Sequence, residues 1–316
     1  MANNTYTTYQ AIGNREDLID KIFSVAPTDT PFISAIGRTS AKAVHHEWQR
    51  DTLRKPNKAN AAQEGAPATY MQQTPTQRLG NRTQIIQDTL SISGTQSAVR
   101  HAGGSEEQRL KAKKMVELKK DIEAAAIANT AQVAGSGIGA RQMCGLAGWI
   151  TTNNNLGKGG VAPDPIKNVA PKGGEKRDFS EALLQDAILQ AYTQGGDVTM
   201  AIMRPRLKQQ ASAFEGNAQR VVDVGSNARA ATMNAAYTFY GSDFGVVKLV
   251  PNRVMADGVD DNVYGIDPKM WKLAFLRGFH SEELAKTGDA RNFQILCEVT
   301  LEACEERSSF AIRDLN

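Results

Sequence analysis

Large apolar side chains are almost missing from one stretch of this chain. Between Leu53 and Leu79 the only bulky non-polar residues are Tyr70 and Met71, and the rest is Arg, Lys, Asn, Gln, Glu, Pro, Gly, Ala and Thr. A connection of this length cannot build a core, and inside a compact domain such a segment is functional or disordered. Cysteine is scarce as well. Cys144, Cys297 and Cys304 form neither an even set nor a Cys-x2-Cys pair, which excludes a disulfide framework and a zinc module and predicts a reducing compartment. No run of ~20 apolar residues exists, so no membrane helix is expected. The start, Met1-Ala-Asn-Asn-Thr-Tyr, lacks the basic and apolar blocks of a secretory signal. Charge of one sign is also lacking. Lys and Arg number 37 against 34 Asp and Glu, a formal +3, so no large net field draws polyanions and any nucleic-acid contact must be local.

What is present reads as α+β. Leu18, Ile19, Ile22 and Phe23 fall at helical spacing ahead of Pro27, and Phe32, Ile33 and Ile36 make a second apolar patch after Pro31. Strand-like segments His45–Arg50 and Thr83–Ile92 flank the core-poor stretch, which together reads as a hairpin arm leaving the body of the protein. The clearest element is a helix over 105–130. Ser105 and Gln108 suggest a capping box, and Met115, Leu118, Ile122, Ala125 and Ala126 form one stripe. Its lysines alternate with Glu117, Asp121 and Glu123, a pattern expected of a solvated, ion-paired face.

A glycine-rich passage, 131–177, precedes a second helix with Asp178 and Glu181 as capping box, closed by Gly195-Gly196. Then follow a buried strand at Val198–Met203, a short helix at Arg206–Phe214, and strands at Gly245–Pro251 and from Trp271. Phe293, Ile295, Cys297, Val299, Leu301 and Ala303 alternate along a long strand, with Glu298, Thr300 and Glu302 opposite. That predicts an antiparallel sheet with one covered face, the 105–130 helix as its cover, and Phe310–Ile312 as the returning strand.

No constellation supports catalysis. Gly135-Ser-Gly-Ile-Gly-Ala140 matches G-x-G-x-x-A, but that fingerprint needs a strand before it and a helix after it. Here a helix precedes it and no amphipathic stripe follows. A nucleotide-binding enzyme built on this loop remains as the alternative of another class. His45 and His46 are neighbours on a strand and point to opposite faces, a poor pair for one metal. Ser242-Asp-Phe-Gly245 stands without the other kinase signatures. No catalytic, cofactor-binding or metal-binding residue is expected.

The ordered set Arg15-Glu-Asp-Leu18, Ala26-Pro-Thr-Asp-Thr-Pro-Phe-Ile-Ser-Ala-Ile-Gly37, His46-Glu-Trp-Gln49, Arg78-Leu-Gly-Asn-Arg-Thr-Gln-Ile85, Leu118-Lys-Lys-Asp-Ile-Glu123, Ser242–Gly245 with Pro251-Asn-Arg253, and Leu284–Asp289 resembles the major capsid proteins of tailed bacteriophages. The resemblance spans nearly the whole chain. It implies the Hong Kong 97-type fold: an N-terminal arm over 1–40, an extended loop over 41–95, a peripheral domain from 96–134 and 236–316 with spine helix 105–130, and an axial domain over 135–235. It further implies a self-assembling, non-enzymatic subunit of an icosahedral virion shell, built as hexamers and pentamers around double-stranded DNA and assembled in the host cytoplasm. Portal, scaffolding or decoration proteins are implied as partners, the scaffold as a separate protein or none, since no long charged helix precedes the arm. A nanocompartment shell of the same fold, which packages an enzyme, is the structural alternative. Some shells of this fold are cross-linked through Lys–Asn bonds; Lys55 and Lys58 lie in the loop, but nothing marks a partner. Candidate intersubunit contacts are Phe32, Trp48, Arg50, Arg54, Lys55, Lys58, Tyr70 and Arg78. Candidate inner-face DNA contacts are Arg109, Lys113 and Lys114.

Overall fold

The computed structural model describes residues 29–65, 67–68, 70, 72–99, 105–128, 130–214, 239–255, 261–286 and 288–316. The helix expected around Leu18–Phe23 lies outside them. Two sheets and one hairpin organise the rest.

The first sheet has four strands, β1 (Gly37–Ser40), β4 (Gln84–Ser93), β10 (Trp271–Leu284) and β11 (Ala290–Ala303), in the order β1-β10-β11-β4. The alternation seen in the sequence is β11, with Phe293, Ile295, Cys297, Val299 and Leu301 all buried. Helix α3 (Glu106–Ile127) packs across β4 and β11. Leu118, Ile122, Ala126 and Ile127 form its buried stripe, while Met115, expected in that stripe, is 40% exposed one turn earlier. Ser105 is the N-cap residue, but its side chain makes no capping bond. Glu106 and Glu107 serve the first turn instead, where the helix dipole favours carboxylates.

The second sheet has six strands: β5 (Asn154–Asn155), β6 (Met200–Met203), β7 (Phe239–Ser242), β8 (Gly245–Pro251), β9 (Val263–Ile266) and β12 (Phe310–Ile312), ordered β5-β12-β9-β6-β8-β7. Helices α5 (Glu181–Thr193) and α6 (Pro205–Ser212) pack on it. Its core joins Leu184, Ala187, Ile188 and Leu207 to Met203, Leu249, Val263 and Phe310. The N-cap of α5 is Ser180, whose hydroxyl accepts from Leu183 N–H, not Asp178. Asp178 lies two residues too early and takes a bond from the Asn316 amide. Gly195 ends this helix at φ +88°.

Strand pairing departs from the expected division in three places. β7, β8, β9 and β12, assigned to the unit 236–316 with the long strands, lie instead in the second sheet with Met200–Met203, β8 and β9 pairing with it directly and β7 and β12 through them. β9 and β12 are buried along their whole length, so they need cover on both faces. Phe310 packs flat on Gly265, where a Cβ would lie 2.1 Å from the ring. β12 therefore closes the second sheet rather than returning to the first. β4, expected within the extended loop, is an edge strand of the first sheet, paired with β11 from Gln84↔Val299 to Ser93↔Ala290. Finally, the polar face of β11 is not solvated: Glu298, Thr300 and Glu302 are all buried.

Candidate assembly interface

What covers that polar face is a hairpin. β2 (His45–Arg50) pairs antiparallel with β3 (Gln77–Arg82), from His45↔Arg82 to Arg50↔Gln77. The partner of β2 is thus 77–82 and not the 83–92 segment the sequence suggested. Alternation turns Glu47 and Gln49 to solvent and sets His46, Trp48 and Arg50 toward the sheet. Trp48 Nε1 donates to the Ala303 carbonyl at 2.8 Å, and its ring stacks on His46 and on Trp149, with centroids 5.9 and 5.3 Å away. His46 Nε2 lies 3.0 Å from Glu302. Arg50 donates to Glu305 at 3.2 Å and to the Gln77 side chain. On β3, Asn81 is fully buried; its amide donates to the carbonyls of Leu301 and Cys144, and its oxygen accepts from Cys144 N–H. Beyond the hairpin, Glu298 accepts from Thr83, Arg141 and Arg277 at 2.7, 2.6 and 2.9 Å.

Glu302 is the electrostatic centre of this contact. Burial opposes its ionisation, but the bonds from His46 and Cys304 and the nearby Lys272 charge outweigh that and hold the carboxyl below its ordinary range. The cost of burying an acid here is met by His46 of β2, Lys272 of β10 and Cys304 just past β11.

The 51–76 connection is the opposite. Every described residue in it is exposed and none belongs to a strand or helix. Leu53 and Tyr70 are 99% and 94% exposed. Its bonds are mostly local: Arg54 donates to the Lys55 carbonyl, Asn57 accepts from Ala59 N–H, and only Thr76, at the end beside the hairpin, reaches back to Gln49. A hairpin pinned at its base and bare at its tip can hold a flexible strip of chain away from its own subunit and offer it to another.

The predicted contact residues therefore separate. Arg54, Lys55, Lys58 and Tyr70 stand on the bare tip, and Arg78 is exposed on β3 and paired with Glu47. Trp48 and Arg50 instead dock the base on its own subunit. Phe32 is a correction. It sits in α1 (Pro31–Ala35) and is fully buried. Glu123 of α3 accepts from the N–H groups of Phe32 and Ile33 at 2.8 Å each and from Asn252 at 2.7 Å. Glu123 thus caps α1, though the sequence placed it on a solvated face; burial raises its carboxyl above the ordinary range against the pull of those donors. Arg109, Lys113 and Lys114 are each paired at home, with Glu106, with Glu117, and with Asp88 and Glu117. The Gly135–Ala140 segment is a turn bracketed by a Val133↔Gln142 bridge; no helix starts at its end to meet a pyrophosphate, and the next one, α4 (Leu146–Trp149), is a single buried turn beyond that bridge. His45 and His46 face different carboxylates, Glu47 and Glu302.

Sequence reasoning missed Asn81, Glu298 and Glu302. A signal existed. Acidic residues at alternate positions of β11 match His46, Trp48 and Arg50 at alternate positions of β2, a complementarity that only the pairing reveals.

This arrangement of hairpin, long helix over a sheet and second α/β unit is shared with known proteins. The SU10 major capsid protein family matches residues 1–316. The chain belongs to that family. The capsid subunit is 26% identical to the major capsid protein of Escherichia phage Phieco32, over 95% of this chain and 94% of that one. The capsid of a native GTA particle superposes with a TM-score of 0.63 at 13% identity, covering 100% of both chains. The SrpI encapsulin of Synechococcus elongatus PCC 7942 superposes at 0.57 and 8% identity, over 96% and 92%. The fold is therefore the Hong Kong 97-type α+β fold, and the protein is a phage major capsid protein, a component of the virion shell. No helix among the described residues is long and apolar enough to cross a membrane.

Proposed function

We propose that this subunit assembles as hexamers and pentamers into an icosahedral head around double-stranded DNA, in the host cytoplasm, with portal, scaffolding or decoration proteins as partners. The subunit acts as a wall and carries no catalytic centre. In domain terms, the first sheet with α3 is the peripheral unit, the second sheet the axial unit, and the 45–82 hairpin the extended loop. The observation that supports this most is the connection 51–76, exposed at every described residue and carried on a hairpin whose base is bonded to β11. Surface held out at such an expense of chain entropy is useful only against a neighbour.

Electron microscopy of the purified subunit tests the reading. Closed shells with five- and six-fold clusters are expected; a protein that stays monomeric under all assembly conditions would remove it. The nanocompartment alternative is tested on the same particles by their contents, nucleic acid against packaged protein.

A further inference from the structure

One buried acid ties three parts of the fold together. Glu123 of α3 has no exposed surface, and none of its hydrogen-bond partners is a cation. A carboxylate in such a place costs folding free energy unless donors satisfy it, and an apolar residue of similar volume is often as stable there or more so. What a buried acid adds is a single defined geometry. Two of its donors are the N–H groups of Phe32 and Ile33 in α1, and the third is the Asn252 amide.

Both ends of this node are themselves anchored. Asn252, fully buried, follows directly on β8. Its N–H donates to the Met203 carbonyl of β6 at 2.8 Å, and its side-chain oxygen accepts from Val254 N–H at 2.9 Å. At the other end, α1 does not cap itself. Thr30 stands at its N-cap, yet its hydroxyl makes no capping bond and pairs with Ser34 Oγ at 3.3 Å instead. Pro31, at the first helical position, has no N–H to offer. Phe32 and Ile33 therefore carry the first free N–H groups of the helix, and both go to a residue 91 and 90 positions away.

A hydrogen-bonded path thus runs from β6 through Asn252 and Glu123 to α1. Burial alone would hold α1 against the body, since Phe32 and Ile33 are both in the core. Apolar burial is non-directional, however, whereas three donors on two oxygens admit one placement of the backbone that carries them. We infer that Glu123 is the positioning residue of the N-terminal arm: it sets where the chain ahead of Phe32 joins the body, and through Asn252 it makes that direction follow the second sheet. The inference rests on the shell reading, in which residues 1–40 are the arm and the second sheet is the axial unit. It adds a coupling to that reading. A subunit whose second sheet shifts against α3 redirects its arm.

Residue-resolved hydrogen exchange of the free subunit and electron microscopy of its shells test this together. Glu123→Ala should speed exchange of the Phe32 and Ile33 amides roughly ten- to a hundredfold, as loss of a bond to a charged group predicts. Glu123→Gln keeps one acceptor oxygen and should free one of the two amides. Amides of β9 and β11 should keep their wild-type rates. Asn252→Ala discriminates most sharply, because it removes no partner of either amide and should still speed both. Shells of the two alanine variants should vary in diameter or fail to close. Unchanged exchange at Phe32 and Ile33 in Glu123→Ala or in Asn252→Ala overturns the inference. So does faster exchange by the same factor in β9 and β11, which would make Glu123 an ordinary member of the core. Uniform wild-type shells from Glu123→Ala protein whose α1 amides have opened overturn it too. Should Glu123→Ala not fold, Glu123→Gln and Asn252→Ala carry the same decision. A wild-type chain that forms no shells at all would instead count against the shell reading while the exchange results stand, so the two failures are distinct.

Discussion

The base and the tip of one hairpin solve opposite problems. At the base, residues 45–50 and 77–82 bury polar groups against β11 and pair almost all of them: Trp48 with Ala303, His46 with Glu302, Asn81 with Leu301 and Cys144. At the tip, every described residue of 51–76 is exposed, and apart from a bond from Thr76 back to Gln49 the hydrogen bonds run within the loop. Polar bonding at a buried face stabilises modestly but selects one geometry, because a partner left unmet is costly. The base thus fixes where the arm leaves the subunit, and the tip is left adaptable. A shell needs this division. One subunit must meet neighbours in several non-identical settings, so the direction of the arm has to be rigid while its contact surface is not.

The contrast breaks most completely from below. Leu118→Asp puts a charge at a fully buried position between α3 and the sheet that supports the base. An unpaired buried charge costs several kcal/mol, on the order of the whole stability of a domain. We expect no soluble folded subunit; a folded, helical variant by circular dichroism would show that the stripe is not the core. The tip responds differently. Deleting residues 55–74 removes no buried side chain among the described residues and spares the Arg50–Gln77 pairing that ends the hairpin. The thermal midpoint of the free subunit should move little, while shells vanish from light scattering. Loss of cooperative unfolding would mean that the tip is part of the fold.

The tip was legible in the sequence because composition alone marks a segment that cannot bury itself. The alternating face of β11 and the stripe of α3 were legible for the same reason, since periodicity records which side meets a core. The base was not. His46, Trp48 and Arg50 look like an exposed edge until β3 is known to start at Gln77, and Glu298 and Glu302 look solvated until the hairpin lies on them. Glu123 reads as one more surface acid on a charged helix, yet it caps α1 from ninety residues away. Periodicity carries no information about polar groups buried by partners distant in the chain. It also could not assign Phe310–Ile312 to a sheet, because a three-residue strand buried on all sides has no alternation to read.

Acid sharpens the comparison at the base. Glu302 has its carboxyl held below the ordinary value in the folded state. A lowered folded pKa gives stability that is present above the unfolded value, near 4.5, and is lost as pH falls through the folded one. The stability gap between wild type and Glu302→Gln should therefore be open at neutral pH and close on acidification below about 4.5, measured by denaturant titration across pH. A gap that widens in acid would reverse the assignment. Trp48→Phe keeps the ring stacking and removes one hydrogen bond, so it should cost about 1 kcal/mol. It should also make the hairpin amides near 79–81 exchange faster without touching those of the second sheet.

The smallest effect is expected on the charged face of α3, the proposed DNA contact. Arg109, Lys113 and Lys114 are candidate DNA contacts on a helix whose mixed charge reads as an ion-paired face, and Glu106, Glu117 and Asp88 do pair with them within the subunit. Such a face is close to neutral, and exposed pairs of this kind hold their partners weakly. Each phosphate neutralised by a protein adds about 0.9 to the slope of log affinity against log salt. If these cations met DNA singly and unpaired, removing Lys113 and Lys114 together would lower that slope by almost two. With their charges already balanced, Lys113→Gln with Lys114→Gln should change the slope by less than about one and leave weak, sequence-independent duplex binding nearly intact. Fluorescence titration of the free subunit over a salt series measures this. Tight, sequence-selective binding at physiological salt, abolished by the double substitution, would mean that the wall grips its contents. Weak binding that survives it fits a wall that confines a polyanion under pressure without holding it.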